Sequence, residues 1–377
     1  MDMSINVAPS PNPRKKGARR DVAACLHTLY PLLATHNAMS ADGGRRVSDA
    51  TRRERAEFAI RTVRLLHEMG YPLKDIHHLK PKHIGAIVRS WESRGFSAAA
   101  MQKYLAFLGT ICRWIGKPAI VGKLPDHLVD PARGKRCRHA IKDMSWSART
   151  DTWAKIAEIM ADDVRVGLML LLMWRFALRA REAWLFEPNR AADYVRGILR
   201  IRKGTKGGLP RELDLTAQWF DDPDKRALID RTKEYASVPL GTLVPAHMTL
   251  NAWQSHFYRV LRRHGVSRAT DLVAHGLRHQ TANDLYEAMT GRASPVRGGE
   301  APETSEEKAK ERAARLEIAK ILGHGRIQVT ASYYGTRRPR NADSTDTALA
   351  RKKDALTKAA SEADTLKRQL RDTTQKP

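Results

Sequence analysis

Apolar residues recur at helical intervals over most of the chain and take on strand character in one short stretch. Phe58, Thr62, Leu65 and Met69 step by four, three and four, and Gly70 with Pro72 marks where that helix should stop. Ile84, Ile87, Val88 and Trp91 form a second stripe that ends near Gly95. Met101, Tyr104, Leu108, Ile111 and Ile115 form a third. Together they predict a small all-α module over residues 21–117. Residues 118–145 lose the period: Pro118, Gly122, Pro125, Pro131 and Gly134 punctuate them, and Lys135, Arg136, Arg138 and His139 make them basic, as in a linker between domains. From Trp146 a second domain is predicted over residues 146–340. Ile156 to Met160 and Val164 to Phe186 have helical character. Ile198, Leu199, Ile201 and Arg202 then lead into Gly204-Thr205-Lys206-Gly207-Gly208, and Glu212-Leu213-Asp214-Leu215 follow, which predicts a β-hairpin with a glycine-rich tip. The rest is mostly helical to about residue 335, apart from a polar insert rich in Gly, Pro and Glu from Gly291 to about Lys310. The fold class that results is mainly α with a small β-hairpin: an all-α N-terminal domain and an α+β C-terminal domain.

The two ends differ from this body. Residues 1–20 carry Pro9, Pro11 and Pro13 followed by Arg14, Lys15 and Lys16, and read as a basic disordered arm. In the tail, 341–377, Leu349, Leu356, Ala363 and Leu370 repeat every seven residues, with Ala359 and Leu366 between them. That pattern predicts a helix able to dock on a neighbouring subunit.

Charge narrows the function classes. Lys and Arg number 67 against 41 Asp and Glu, a formal net charge of +26 on 377 residues. So large an excess repels itself unless a polyanion is the working partner, and nucleic acid is the commonest one. Arg52, Arg53, Arg55, Arg61 and Arg64 would give the N-terminal module a basic face for phosphates, and the basic linker could cross a DNA backbone. Cys25, Cys112 and Cys137 are scattered without metal-ligand spacing, which suits a reducing cytosolic compartment and predicts neither a metal nor a disulfide framework. The N-terminus lacks a signal-peptide core, and the most apolar run, Gly167 to Trp174, is too short to span a bilayer, so no membrane partner is expected.

Four local patterns carry candidate chemistry. Leu178-Arg179-Ala180-Arg181-Glu182 puts an arginine at the end of an apolar helix, where the glutamate three residues on could orient it or a phosphate could be its target. Lys206 stands on the glycine-flanked hairpin tip, where a lysine can reach into a groove; Lys203 competes with it. His275-Gly276-Leu277-Arg278-His279 places His275 and Arg278 on one face at a helix start, where free N–H groups favour a phosphate. Leu322-Gly323-His324 is followed by Tyr333 and Tyr334.

In this order the four patterns resemble the tyrosine recombinase (phage integrase) family, over about residues 146–336. The all-α module before them is similar in character and position to the family's core-binding domain. The resemblance implies that Arg179 and Arg278 clamp the phosphate, that Lys206 is the hairpin lysine, that His275 is the first histidine, that His324 fills the histidine-or-tryptophan position, and that Tyr333 is the nucleophile. Tyr333 lies nine residues beyond His324, the usual family interval, whereas Tyr334 would pack. Counting back from Leu213-Asp214-Leu215, which stands where the family has Val-Pro-Leu, favours Lys206 over Lys203; Asp214 in place of the proline departs from the pattern.

The residue types suit the implied reaction. Two guanidiniums can neutralise the non-bridging oxygens of a phosphodiester as charge builds. A tyrosine phenol titrates near ~10 and needs help to lose its proton. Attack would leave a 3′-phosphotyrosyl bond and a 5′-hydroxyl, with Lys206 protonating the leaving oxygen. That bond keeps the energy of the broken one, so neither ATP nor a metal or other cofactor is implied. The partners implied are double-stranded DNA, four protomers on two synapsed duplexes, and accessory DNA-bending proteins. Two other readings share these residues: a type IB topoisomerase-like enzyme, and a catalytically inactive accessory DNA-binding protein.

Overall fold

The computed structural model describes residues 13–238 and 241–336. The chain divides into two units. One runs up to Arg138 and takes in Thr205–Leu209; the other begins at His139 and comprises the rest.

The first unit is all helical. Helix α1 (Pro13–His36) precedes α2 (Asp49–Glu68), α3 (Pro81–Ser93) and α4 (Ala98–Trp114). The hydroxyls of Ser48 and Ser97 accept the first free N–H groups of α2 and α4. Ile84, Ile87, Val88 and Trp91 are all buried, as their spacing predicts, and pack with Leu29, Val63, Leu66, Met101, Leu108 and Ile111 in one core. Three expectations change here. Pro13–Arg20, read as part of a disordered arm, are the first turns of α1, where a proline suits the opening position. Arg55 does not face a phosphate: it is 3% exposed, and its guanidinium donates to the Asn37 side chain (2.6 Å) and to the carbonyls of Asn37 (2.6 Å) and Met39 (2.9 Å). Arg52, Arg53, Arg61 and Arg64 are exposed. Residues 118–134 are not a bare linker. Three short 3₁₀ turns bury Val121, Leu124 and Leu128 in the same core, and the Glu92 carboxylate accepts the N–H groups of Val129 (2.8 Å) and Asp130 (3.0 Å). The unit therefore closes at Arg138, not Lys117. Residues 1–12 and the docking helix predicted in 341–377 lie outside the described residues.

The second unit holds the remaining elements. Helices α5 (Thr152–Asp162), α6 (Val164–Arg175), α7 (Ala180–Trp184) and α8 (Pro188–Ala191) come first. Strands β1 (Ala192–Asp193), β2 (Ile198–Ile201) and β3 (Arg211–Asp214) form an antiparallel sheet in the order β1-β2-β3, with Leu199 opposite Leu213 and Ile201 opposite Arg211. Then come α9 (Pro223–Lys233), α10 (Leu250–Arg263), α11 (Gly276–Thr290), α12 (Ser305–Ile321) and α13 (Ala331–Tyr334). Helix α6 runs through the core: every residue from Val166 to Met173 is buried, against Trp146, Phe257, Leu277 and Ile318 among others. The helical stretch predicted from Val164 to Phe186 is broken. It stops at Arg175, Ala177 takes a left-handed conformation (φ 53°), and α7 starts afresh at Ala180. No glycine or proline signals that break.

The polar insert after α11 is ordered by charge. Arg297 pairs with Asp143 (3.1 Å), Asp284 (2.9 Å) and Glu287 (3.1 Å), and the Ser294 hydroxyl donates to the buried Asn283 side chain (2.6 Å). These contacts fold the loop back on α11. A Cβ on Gly335, just past α13, would come within 2.9 Å of Val296, so the insert also borders the exit from α13. No described helix is long and apolar enough to cross a membrane.

Candidate active site

Glu182 organises one half of the site. It is fully buried, and one carboxylate oxygen accepts from Arg179 Nη1 (2.6 Å) and Arg211 Nη1 (2.5 Å) while the other accepts the Arg179 backbone N–H (2.8 Å). Burial alone would push this carboxyl up. Arg211 and then Arg179 outweigh that and hold it below the ordinary glutamate range. Arg179 thus sits at the start of α7, with its guanidinium fixed by a residue one turn on, and its Nη2 donates to the Leu322 carbonyl (3.2 Å). The hairpin packs close by. Gly204 has φ 75°, and a Cβ there would lie 2.4 Å from the Arg181 carbonyl oxygen, so only glycine fits between strand and helix.

Arg278 organises the other half. Its position follows from Gly276, where a Cβ would fall 2.5 Å from the Met144 carbonyl and 2.9 Å from the Trp146 ring; α11 starts flush against that turn. Arg278 is 0% exposed. Its Nη1 donates to the Ala177 carbonyl, its Nη2 to the Leu322 carbonyl, and its Nε to the Tyr333 hydroxyl (3.1 Å). Leu322 therefore receives both arginines, and Ala177 presents its carbonyl from the left-handed break after α6. The removal of the Arg278 guanidinium from water pushes its pKa down to about 10, a cost that the three acceptors offset.

Tyr333 lies at the meeting point. Its side chain is 4% exposed, and its phenol oxygen is also 3.2 Å from His324 Nε2. Three imidazoles surround its ring, with centroids 4.8 Å away for His279, 5.6 Å for His324 and 5.8 Å for His275. His275 keeps an exposed face. Packing of its ring against protein, and then the positive groups at His279, Arg278, Arg179 and His324, pull its pKa well below the usual histidine value. Solvent at the exposed face moderates the first effect; the surrounding cations set the same direction. Tyr334 points elsewhere: it is fully buried, and its hydroxyl meets Thr330 and accepts from Arg315 Nε (3.2 Å).

Of the residues singled out in the sequence, Arg179, Arg278, His275, His324 and Tyr333 come together. Lys206 is exposed on the hairpin tip and takes no part in these contacts. Lys203, its competitor, is engaged with the buried Glu187 (2.9 Å). The sequence patterns did not single out Arg211, which joins the cluster from β3, or His279 as a ring packed on Tyr333. Among the described residues, no group of three His, Cys, Asp or Glu side chains could hold a metal ion.

Residues 36–121 match the family model of the phage integrase N-terminal domain. In fold the chain is similar to the Tn1549 transposon integrase solved with circular intermediate DNA. The TM-score is 0.50 at 14% identity, covering 84% of this chain and 97% of that one. It is also similar to a lambda integrase in a tetramer bound to a Holliday junction, with a TM-score of 0.50 at 14% identity, covering 88% of this chain and 84% of that one. The fold is that of the tyrosine recombinases. The family resemblance carried by the four patterns agrees with it, and so does the expected pairing of an all-α N-terminal domain with a mixed C-terminal one. A sequence search among curated proteins finds no match.

The recombinase fold explains why residues so far apart in sequence converge, and the described state has a further property. Each guanidinium nitrogen of Arg278 already donates one hydrogen bond within the chain, and Tyr333 is covered. The cluster is assembled but closed.

Proposed function

We propose that this chain is a site-specific DNA recombinase that cleaves and rejoins strands through a 3′-phosphotyrosyl intermediate at Tyr333, integrating or excising a mobile element. The observation that carries this reading is the phenol oxygen of Tyr333 held between Arg278 Nε (3.1 Å) and His324 Nε2 (3.2 Å). The integrases of similar fold were solved on DNA, one as a tetramer on a Holliday junction, which supports duplex DNA as the partner and a tetramer as the working assembly.

In the proposed step the scissile phosphate takes the places of the Ala177 and Leu322 carbonyls on Arg278 and Arg179. The two guanidiniums then meet its non-bridging oxygens as negative charge grows. His324, within hydrogen-bond reach, accepts the phenol proton. The new bond joins the Tyr333 oxygen to phosphorus, and the bond from phosphorus to the 5′-oxygen breaks. Lys206, exposed and free of ion pairs among the described residues, protonates that leaving oxygen, a role Lys203 is ill placed to fill while bound to Glu187. A 5′-hydroxyl from a partner duplex reverses the sequence.

The test is a nicked duplex carrying DNA from the flanks of the gene, chosen by footprinting. Cleavage there loses the short 5′-hydroxyl fragment and traps the protein covalently. Trapping by the unaltered chain, lost in Tyr333→Phe with DNA binding intact, is the expected result. Binding without any trapping would instead support the accessory DNA-binding alternative, and trapping lost in Tyr334→Phe would move the nucleophile by one residue.

A further inference from the structure

Arg211 is the one charged group in the cluster that no sequence pattern announces. It lies on β3 opposite Ile201, and its side chain is only 8% exposed. Nη1 reaches Glu182 Oε1 (2.5 Å), the oxygen that also receives Arg179 Nη1, and Nη2 reaches toward the Ala177 carbonyl (3.4 Å). Its Nε–H is buried without a partner among the described residues. A Cβ on Gly323 would lie 2.8 Å from Arg211 Cδ, so the Leu-Gly-His turn closes directly over this side chain.

Burying a third guanidinium beside Arg179 and Arg278 is costly, and an apolar residue would fill β3 more cheaply. What Arg211 adds is position. Glu182 receives Arg179 by one oxygen and its backbone by the other; with Arg211 on the first oxygen, the carboxylate has no freedom to rotate. The same guanidinium bears on the Ala177 carbonyl that Arg278 also uses, and its stem supports the turn that presents Leu322 and His324. We propose that Arg211 is a positioning residue for strand cleavage: it locks Glu182, and through it Arg179, and registers the hairpin strand against both arginines. The two contacts diverge from one planar fork, a geometry that a lysine cannot reproduce.

This inference rests on the recombinase reading, and the test separates the two. Single-turnover trapping on the footprinted nicked duplex is measured between about pH 5 and pH 9. The proteins compared are the unaltered chain, Arg211→Met, Arg211→Lys and the double variant Arg211→Met with Glu182→Gln. Arg211→Met should lower the trapping rate about 10²-fold at saturating protein while DNA affinity stays within about twofold, the mark of lost alignment rather than lost binding. Its profile should also change shape. Without Arg211 the buried Glu182 carboxyl titrates higher, so activity falls on acidification at a higher pH than in the unaltered chain. Adding Glu182→Gln removes the titrating group and should abolish that shift, which loss of packing alone would not do. If Arg211→Met does not fold, Arg211→Lys carries the test, with an expected loss of roughly tenfold because the charge remains and the fork does not. Trapping by a folded Arg211 variant within about threefold of the unaltered chain, with an unmoved pH profile, overturns the inference alone. Failure of the unaltered chain to be trapped overturns the recombinase reading and the inference with it.

Discussion

Arg278→Lys separates charge from geometry at the centre of the site. The substitution keeps one positive charge in a fully buried position but replaces three donor directions with a single ammonium. In the described state Nη1, Nη2 and Nε go to the Ala177 carbonyl, the Leu322 carbonyl and the Tyr333 hydroxyl. A lysine nitrogen can follow one or two of these, so at least one buried acceptor loses its partner, at about 1–3 kcal/mol. For a domain of this size each kcal/mol lowers the melting temperature by about 2–4 °C. Catalysis should suffer more than stability. Removing one preorganised donor from a developing oxyanion costs about 10²–10³-fold, and here a bidentate contact to phosphate is lost as well. A drop of roughly 10³-fold in single-turnover trapping is expected, equivalent to about 4 kcal/mol of barrier. The assay pairs trapping rates on the nicked duplex with gel-shift affinity and thermal melts, so that folding, binding and chemistry are read separately. A folded Arg278→Lys protein that traps DNA within about tenfold of the unaltered rate would refute the view that the guanidinium fork, and not its charge, aligns the phosphate.

Other expectations rest on separate observations. Tyr334→Phe should leave trapping intact and lower stability by about 1 kcal/mol, because its buried hydroxyl bonds to Thr330 and Arg315 and not to the Tyr333 cluster among the described residues; thermal melts and trapping gels check both halves. Arg61→Ala, on the exposed face of α2, should reduce the slope of log affinity against log salt by about 1, whereas Arg55→Ala should leave the slope alone and destabilise the N-terminal unit. His264 bridges Glu158 (2.8 Å) and Asp162 (3.0 Å), and the hydrogen bonds it donates to the first and then the second raise its pKa. Its stabilising contribution is therefore complete below the ordinary histidine value and disappears as pH rises through the raised one. The melting-temperature gap between the unaltered chain and His264→Gln should be wider near pH 6 than near pH 9, with both values set by the histidine range of about 6.5 upward; an equal gap at both would remove the ion pairs from the account.

Local pattern made much of this molecule legible. The stripe Ile84, Ile87, Val88, Trp91 lies entirely in the core because a period of three and four residues dictates one face of a helix. The hairpin and its glycine tip follow from alternation and turn chemistry, and His275 with Arg278 lands at a helix start as the spacing requires. Properties that depend on distant chain were not legible. Arg55 and Arg61 look alike in the sequence, yet one is solvated and the other is captured by carbonyls of the loop after α1. Val121, Leu124 and Leu128 step by three and four, but Gly122, Pro125 and Pro131 interrupt the pattern, and 3₁₀ turns bury them instead. The break at Ala177 and the arrival of Arg211 at Glu182, 29 residues away, are tertiary facts with no local signature.

The carbonyls of Ala177 and Leu322 have a consequence for selectivity. Because the protein's own backbone satisfies the arginines, a duplex that engages them exchanges one set of hydrogen bonds for another and gains only the difference. On the proposed reading, DNA that approaches out of alignment would gain little from that exchange and would leave Tyr333 covered. A left-handed alanine costs roughly 1–2 kcal/mol to hold, so a binding partner that lets this loop relax recovers energy that a passing stretch of genome does not. Under the proposed function, alignment of the duplex would then be a condition for reaching the phenol of Tyr333, which is 4% exposed here.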